Sequence, residues 1–279
     1  MNDVIETRGV TYRIEYPPIR KRKPFCFFLH GFLGTCAEFY HIVPHLTDHI
    51  NPVLVDHLGH GESDKPDQSG RYETPELVAD IIEITKSFSD KPVYLMGYSM
   101  GGRLALQTAI QHPERLRGLI LESANPGIED TEKRAARMNE DEGRASEVES
   151  NFRQFVYEWN KLPLFQSGQN VDDSKDPGRL RQLRILQEMQ EPGGVAAMLK
   201  GFGTGVMPVI ADLELQKFDQ PVLLIAGKRD GKFVEIQNRM MDKLPKTRLE
   251  IVSESAHRVH IDQPNAYIHA LRNFFKNQS

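Results

Sequence analysis

Short apolar runs mark four strands in the first 123 residues. The runs are residues 25–29, 52–56, 93–96 and 118–122. A run that is apolar at nearly every position is typical of a strand covered on both faces. Residues 4–16 alternate loosely, as an antiparallel edge hairpin does, and apolar residues recur at helical spacing between residues 75 and 88. Strands that alternate with helices predict a mostly parallel, doubly wound sheet.

The pattern changes after residue 123 and returns near residue 216. The stretch between is rich in charge and carries two apolar stripes at helical spacing, at 148–159 and 183–189. Two further buried-strand runs and an amphipathic helix then complete the chain. We therefore predict an α/β core formed by residues 1–123 and 216–279, into which residues 124–215 are inserted as a helical cap.

Composition and charge narrow the class of protein. The chain has 279 residues, of which 39% are hydrophobic and 27% charged, as in ordinary globular proteins. The net charge is −4 and no basic stripe is present, which argues against nucleic-acid binding. The short basic run at 20–23 is interpreted as a solvated loop. The composition therefore gives no support for a nucleic-acid partner, and the oligomeric state stays open.

Cellular location is predicted from apolar runs and cysteines. No run approaches the roughly 18 apolar residues of a membrane span, and the amino terminus lacks the pattern of a signal peptide. The two cysteines, Cys26 and Cys36, cannot form a disulfide framework and indicate reduced thiols. Cys26 is interpreted as a core residue and Cys36 as a loop residue. We expect a soluble, cytoplasmic protein with no membrane contact.

Candidate chemistry centres on the sequence Gly97-Tyr98-Ser99-Met100-Gly101, which joins a buried strand to a helix. A turn this sharp strains the backbone of its central residue, so the residues two before and two after must be small. The Ser99 hydroxyl would then stand clear of the sheet, and the Met100 amide at the helix start would face an oxyanion. The amide of Phe32, after His30-Gly31, is the expected second donor.

Two later strand ends supply the partners of this serine. The run at 221–226 leads into Asp230, and the run at 249–252 leads into His257, so both follow carboxyl ends of strands. His257 would accept the proton of Ser99, and Asp230 would orient the imidazole and stabilise its cation. His260 is the rival base and is interpreted as a supporting residue near Asp262.

Three other histidines have the spacing of metal ligands. His41, His45 and His49 recur every four residues, which would place three ligands on one helix face. Pro44 interrupts or starts that helix, and no carboxylate or cysteine cluster completes a site. We interpret the three as a solvated helix face and predict no metal site.

These residues give the chain its resemblance to the α/β-hydrolase superfamily over nearly its full length. Within that superfamily it is similar to the 2-succinyl-6-hydroxy-2,4-cyclohexadiene-1-carboxylate synthases of menaquinone biosynthesis. The stretches that carry this likeness are 29–34, 97–103, 125–127, 133–137, 159–165 and 203–205. The resemblance implies the α/β-hydrolase fold, a mostly parallel eight-stranded sheet flanked by helices with an inserted helical cap, and no cofactor.

The resemblance also implies a lyase reaction in which pyruvate leaves and a cyclohexadiene forms. Ser99 would then act as a base, and a substrate with several carboxylates would need cationic partners. Arg103, on the helix after the serine, and Arg137, in the cap, are the matching positions. Tyr98 and Trp159 would wall the pocket.

Two departures and two alternatives accompany this resemblance. Gln187 stands where the family often has a further cap arginine, which Arg181 or Arg184 would have to replace. Leu58 stands where the superfamily usually has proline. The same triad also fits a serine hydrolase of a small ester or of a carbon–carbon bond. A ligand-binding or scaffolding protein that kept the fold without catalysis is the alternative of another class.

Overall fold

The computed structural model describes residues 1–165 and 177–278, and in it eight strands form one sheet. The strands are β1 Asn2–Thr7, β2 Val10–Glu15, β3 Phe25–Leu29, β4 Asn51–Val55, β5 Val93–Tyr98, β6 Leu116–Glu122, β7 Val222–Gly227 and β8 Thr247–Val252. Their order across the sheet is β1-β2-β4-β3-β5-β6-β7-β8. β1 pairs antiparallel with β2, and β2 with β4, whereas every pair from β4 to β8 is parallel. The predicted mostly parallel eight-stranded sheet is confirmed.

Helices cover both faces of this sheet. The α-helices of the described residues are α1 Thr74–Phe88, α2 Met100–Gln111, α3 Thr131–Ser150, α4 Phe152–Asn160, α5 Pro177–Glu188, α6 Pro192–Phe202, α7 Asp212–Lys217, α8 Gly231–Met241, α9 Val259–Asp262 and α10 Pro264–Lys276. Helices α1, α2 and α8 pack on one face, and α10 packs on the other. No described helix combines the length and the apolar character needed to span a membrane.

The central strands are apolar throughout because each of their faces has its own core. On β3, Phe27 and Leu29 belong to the cluster under α1 and α2, while Cys26 and Phe28 belong to the cluster under α10. Successive side chains of a strand point to opposite faces of the sheet. Because both faces of a central strand are buried here, apolar residues are favoured at every position. Burial of each Phe or Leu side chain stabilises the fold by about 1.5–3 kcal/mol.

The chain between β6 and β7 is helical and contributes α3 to α7. It begins with a capped helix, because the Asp130 side chain accepts the Lys133 N–H at 2.9 Å. Its helices share a small apolar cluster with one residue from the loop after β3. The members are Leu33, Ala145, Val148, Phe155, Val156, Val195, Ala196 and Leu199. The assignment of residues 124–215 as a separate cap stays a prediction, and residues 166–176 of that range lie outside the described residues.

The expectation that Cys36 lies in a loop is wrong. Cys36 opens a 3-10 turn, Cys36–Phe39, and only 2% of its surface is exposed. Its N–H donates to Asp56 Oδ1 at 2.6 Å, and the Thr35 hydroxyl caps the turn. The side chain therefore packs beneath β3 and β4, where burial raises the pKa of its thiol.

The interpretation of His41, His45 and His49 as one solvated helix face is also wrong. The segment forms separate 3-10 turns, one of them Val43–His45, so the three rings do not share a face. His41 is partly buried, its Nε2 lies 2.8 Å from the His260 carbonyl oxygen, and burial lowers its pKa to about 4. Among the described residues, no group of three His, Cys, Asp or Glu side chains is arranged to hold a metal.

Candidate active site

Ser99 occupies a sharp turn between β5 and α2. Its φ of 48° and ψ of −107° lie in a region that residues other than glycine rarely adopt. A Cβ at Gly97 would overlap the Gly101 carbonyl, and a Cβ at Gly101 would overlap the Leu29 carbonyl oxygen. Glycine is therefore required at both positions, because the helix start approaches the strand ends too closely for any side chain. The Ser99 N–H donates to the Glu122 carbonyl at 2.8 Å, which fixes the turn to β6.

The structure brings the three predicted triad residues together in one hydrogen-bonded series. His257 Nε2 lies 3.0 Å from Ser99 Oγ, and His257 Nδ1 lies 2.6 Å from Asp230 Oδ2. Asp230 follows β7, and His257 follows β8, so the parallel strands deliver both side chains to one edge of the sheet. His257 and Asp230 are buried. This geometry can pass a proton from the serine to the imidazole, while the carboxylate holds the ring.

Two backbone amides beside Ser99 have no acceptor among the described residues. These are the amides of Phe32 and Met100, whereas the adjacent N–H groups of Leu33 and Gly101 donate to His60 Nε2 and the His30 carbonyl. The Met100 amide is the first of α2 and so belongs to the end of a helix dipole that favours negative charge. Both amides can therefore donate to an oxygen that becomes negative above Ser99.

Ser99 opens into a cavity of about 1260 Å³ that lies between the strand ends and helices α3, α4, α6 and α8. All four residues predicted to bind substrate line it: Tyr98, Arg103, Arg137 and Trp159. The Tyr98 ring lies 5.6 Å from the His257 ring, and Trp159 packs edge-on to Phe32 with 5.0 Å between ring centroids. The indole N–H of Trp159 is buried with no partner among the described residues. The described residues therefore leave this donor without an acceptor.

The two predicted substrate-binding arginines differ in their partners. The Arg103 guanidinium is buried and donates to the Phe202 carbonyl at 2.8 Å, and no carboxylate forms an ion pair with it in the described part of the chain. Burial, together with the charge of Arg137, lowers the pKa of Arg103 to about 9, so Arg103 remains cationic at neutral pH. Arg137 is partly exposed and pairs with Asp141 at 2.8 Å. Arg103 is therefore the less compensated cation.

His260, the rival base, faces away from Ser99 and forms a buried pair with Glu122. His260 Nδ1 lies 2.8 Å from Glu122 Oε1, and Asp262 instead accepts the N–H of Ala256. Burial lowers the pKa of His260, but the charge and hydrogen bond of Glu122 outweigh burial and the pKa is raised. His260 is thus a supporting residue whose hydrogen-bond partner is Glu122; burial raises the pKa of the nearby Asp262, and the charge of His260 acts against that rise. Glu122 ends a buried strand and gave no sequence signal other than that position.

Three buried imidazoles order the loop that carries the Phe32 amide. His30 Nε2 accepts the His57 N–H at 3.0 Å, and His60 Nε2 accepts the Leu33 N–H at 3.3 Å. Both rings must be neutral at those nitrogens to accept a hydrogen bond. Burial lowers the pKa of His57 to about 4 and that of His60 to about 3. These contacts fix the loop beside the pocket through His30, His57 and His60.

The position of the expected further cap arginine is buried. Gln187 on α5 accepts the Asn160 amide N–H at 2.7 Å. Arg181 and Arg184 are exposed and do not line the cavity, and Arg184 pairs with Glu188. Neither arginine replaces the missing one. A different arginine, Arg258, lines the cavity. It was not identified from the sequence, although it directly follows His257.

The family model for the alpha/beta hydrolase fold matches residues 26–264, and the chain belongs to that family. A structure of an enol-lactonase from Burkholderia xenovorans LB400 shares this fold, with a TM-score of 0.83 at 16% identity over 98% of this chain and 100% of that one. Within the family, the chain belongs with the 2-succinyl-6-hydroxy-2,4-cyclohexadiene-1-carboxylate synthases.

Similarity to three proteins supports the assignment to these synthases. The putative synthase of that name from Bacillus subtilis (strain 168) is 37% identical over 244 residues, which are 86% of this chain and 85% of the relative. The synthase from Enterobacter sp. (strain 638) is 29% identical, over 87% of this chain and 88% of its own. The solved structure of MenH from S. aureus has a TM-score of 0.87 and 30% identity, over 96% of this chain and 98% of that one.

Proposed function

We propose that this enzyme converts 2-succinyl-5-enolpyruvyl-6-hydroxy-3-cyclohexene-1-carboxylate to 2-succinyl-6-hydroxy-2,4-cyclohexadiene-1-carboxylate and pyruvate, as a carbon–oxygen lyase of menaquinone biosynthesis. The observation that carries the proposal is the hydrogen-bonded series Ser99–His257–Asp230 at the floor of a cavity that holds a buried Arg103 with no ion-pair partner among the described residues. The relatives at 37% and 29% identity bear the name of this synthase.

The reaction is a balanced elimination across the cyclohexene ring. A base removes the proton at C2, which is acidic because the succinyl carbonyl is adjacent. The electron pair forms the C2–C3 double bond, the C3–C4 double bond moves to C4–C5, and the C5–O bond breaks. The enolpyruvate departs with that electron pair and takes up one proton to become pyruvate. No electron is gained or lost overall, so no redox partner is needed.

The triad residues would perform the proton transfer. His257 Nε2, 3.0 Å from Ser99 Oγ, takes the hydroxyl proton as the serine oxygen removes the C2 proton. Asp230 holds the other ring nitrogen and stabilises the imidazolium that forms. Negative charge develops meanwhile on the succinyl carbonyl oxygen. The unoccupied amides of Phe32 and Met100 are the donors that would stabilise it.

Substrate binding would fall mainly to the helical side of the cavity. Arg103 and Arg137 would bind carboxylates, because a guanidinium matches the planar geometry of a carboxylate. Tyr98 and Trp159 would form walls against the ring. We further propose that residues 124–215 act as the cap over this site.

The test is pyruvate release from enzymatically generated substrate. We expect turnover by the wild-type chain and a loss of at least about 10³-fold in kcat for Ser99→Ala, because the variant lacks the base. Ser146→Ala, an exposed helical serine outside the cavity, is the matched control and should retain activity. Serine-dependent turnover of nitrophenyl esters without pyruvate release would overturn the proposal and favour a serine hydrolase.

A further inference from the structure

Arg258 presents a fixed cation to the cavity, one residue after His257. Its guanidinium carbon lies 3.9 Å from the centroid of the Phe165 ring, and its Nη2 donates to Asn160 Oδ1 at 3.0 Å. Arg258 is half-buried and lines the cavity. A guanidinium stacked on a ring and held at one nitrogen keeps its remaining donors in a defined direction.

Helices α4 and α5 fix the partner of Arg258. Asn160 is the last residue of α4, and its amide nitrogen donates to the Val156 carbonyl at 2.8 Å and to Gln187 Oε1 at 2.7 Å. Those two bonds direct the Asn160 oxygen toward Arg258. The backbone of the same loop is also held, since the His257 N–H donates to the Leu164 carbonyl at 3.2 Å. Arg258 is therefore oriented before any ligand arrives.

Among the described residues, the charge of Arg258 has no ion-pair partner. In the part of the chain that the structure describes, no carboxylate forms an ion pair with it, whereas Arg137 and Arg144 both lie within ion-pair distance of Asp141. The charge of Arg258 acts on the carboxyl groups of Glu38 and Asp262. Burial raises the pKa of both groups, and the charge of Arg258 acts against that rise. A half-buried guanidinium with only neutral direct partners favours an incoming anion.

We propose that Arg258 binds one carboxylate of the substrate, as an anchor separate from Arg103. The proposal rests on the proposed function, whose substrate has three carboxylates: on ring carbon C1, on the succinyl arm and on the enolpyruvyl group. Arg103 contacts Phe202 and Met207, whereas Arg258 contacts Phe165 and Asn160, so the two cations serve different parts of the cavity. Because Arg258 adjoins His257, its carboxylate lies on the side of the cavity where the proton is transferred.

The variants Arg258→Gln and Arg258→Lys test this anchor, and Arg272→Gln on the exposed face of α10 is the matched control. Loss of a charge-assisted hydrogen bond predicts a KM for pyruvate release about 10- to 100-fold higher in Arg258→Gln. We expect kcat to change less than about fivefold, and Arg258→Lys to recover part of the loss. Thermal unfolding of each variant shows that the fold is retained.

A second readout does not depend on turnover. Trp159 is the only tryptophan in the sequence, and its ring centroid lies 5.8 Å from that of Phe165, on which Arg258 stacks. Its fluorescence should therefore report binding of tricarballylate, a simple tricarboxylate. We expect Arg258→Gln to weaken this binding about tenfold or more, and Arg272→Gln to leave it unchanged.

The two readouts separate failure of this anchor from failure of the proposed function. If the wild-type chain releases no pyruvate but binds tricarballylate through Arg258, the synthase assignment fails and the carboxylate anchor stands. A KM and a tricarballylate affinity within about twofold of wild type in Arg258→Gln overturn the anchor. It is also overturned by a fall in kcat at constant KM, which would mean that Arg258 only positions His257, and by a wild-type chain that neither turns over nor binds tricarballylate.

Discussion

The strand ends and the helices between β6 and β7 build the same cavity by different means. At the strand ends, the backbone sets the geometry: Ser99 has a φ of 48°, and at Gly97 and Gly101 the helix start lies too close to the strands for a Cβ. Between β6 and β7, side chains set it. Arg137, for example, is partly exposed and bonded within its own helix to Asp141.

This difference separates the chemistry from recognition. The series Ser99–His257–Asp230 tolerates almost no displacement, because hydrogen bonds weaken steeply with distance and angle. A carboxylate-binding arginine on a surface helix can shift with its long side chain and still bind. Changes in the turn at Ser99 or in the triad should therefore remove folding or turnover, whereas changes of the carboxylate-binding arginines should raise KM.

The largest expected effect is a loss of stability from a substitution in the turn between β5 and α2. Gly101→Ala places a Cβ against the carbonyl oxygens of Leu29 and His30, which are backbone atoms of the central sheet and cannot move aside. We expect a loss of more than about 4 kcal/mol in the free energy of unfolding, measured by chemical denaturation.

Gly143→Ala in α3 is the matched change on the helical side. A Cβ there meets no atom within 4 Å, so alanine should stabilise the protein by about 0.5–1 kcal/mol through its helix propensity. Equal effects of the two substitutions would contradict the contrast between the regions.

The next effect is on turnover without loss of the fold. Asp230→Asn keeps the size of the side chain but presents a neutral amide to His257 Nδ1, at a contact of 2.6 Å. The imidazolium then loses its counter-charge and the ring its required tautomer, so kcat for pyruvate release should fall by about 10³- to 10⁴-fold. Steady-state kinetics measures this, together with thermal unfolding.

Arg137→Ala should show the opposite kinetic pattern. The loss of a partly exposed carboxylate partner predicts a KM about tenfold higher and little change in kcat. A similar loss of kcat in both variants would mean that the helices take part in the chemistry and that the division drawn between the two regions is wrong.

The sequence was most informative where one local pattern decides the structure. The continuous apolar runs predicted the central strands because both faces are buried, and the glycines at 97 and 101 predicted the sharp turn because no other residue fits. The places of Asp230 and His257 followed from the rule that parallel strands end at one edge of a sheet.

Prediction failed where a residue's partner is distant in sequence. Cys36 appeared to lie in a loop, but Asp56 draws its backbone into a buried turn. His260 was interpreted as a supporting residue, but its hydrogen-bond partner Glu122, 138 residues away, was not predicted. No pattern in the sequence marked Arg258 as a site residue, because its orientation depends on Asn160, which lies in α4. Such contacts follow from the packing of whole elements and cannot be derived from spacing.

The smallest effect concerns pH and lies wholly on the strand side, because no histidine occurs between residues 124 and 215. The folded-state pKa values of His57 and His60, about 4 and about 3, lie below the ordinary value of 6.5. The unfolded chain therefore binds more protons than the folded one below pH 6.5. The stability that these neutral rings provide is complete above that pH and is lost as pH falls toward 4, by up to about 1.4 kcal/mol per pH unit for each ring.

Replacement of one of these histidines should reduce by one the number of protons that the chain takes up when it unfolds at low pH. In His60→Gln the amide oxygen can still accept the Leu33 N–H, which His60 Nε2 accepts at 3.3 Å, but nothing titrates. The slope of the free energy of unfolding between pH 6 and 4.5 should then fall by about 1.4 kcal/mol per pH unit, whereas His269→Gln, at an exposed position on α10, should leave it unchanged. Because the Leu33 amide lies next to that of Phe32, a charged His60 would also disturb the loop that supplies an oxyanion donor. An unchanged slope in His60→Gln would mean that this ring is protonated in the folded protein, and the loop would then owe its conformation to the strand ends alone.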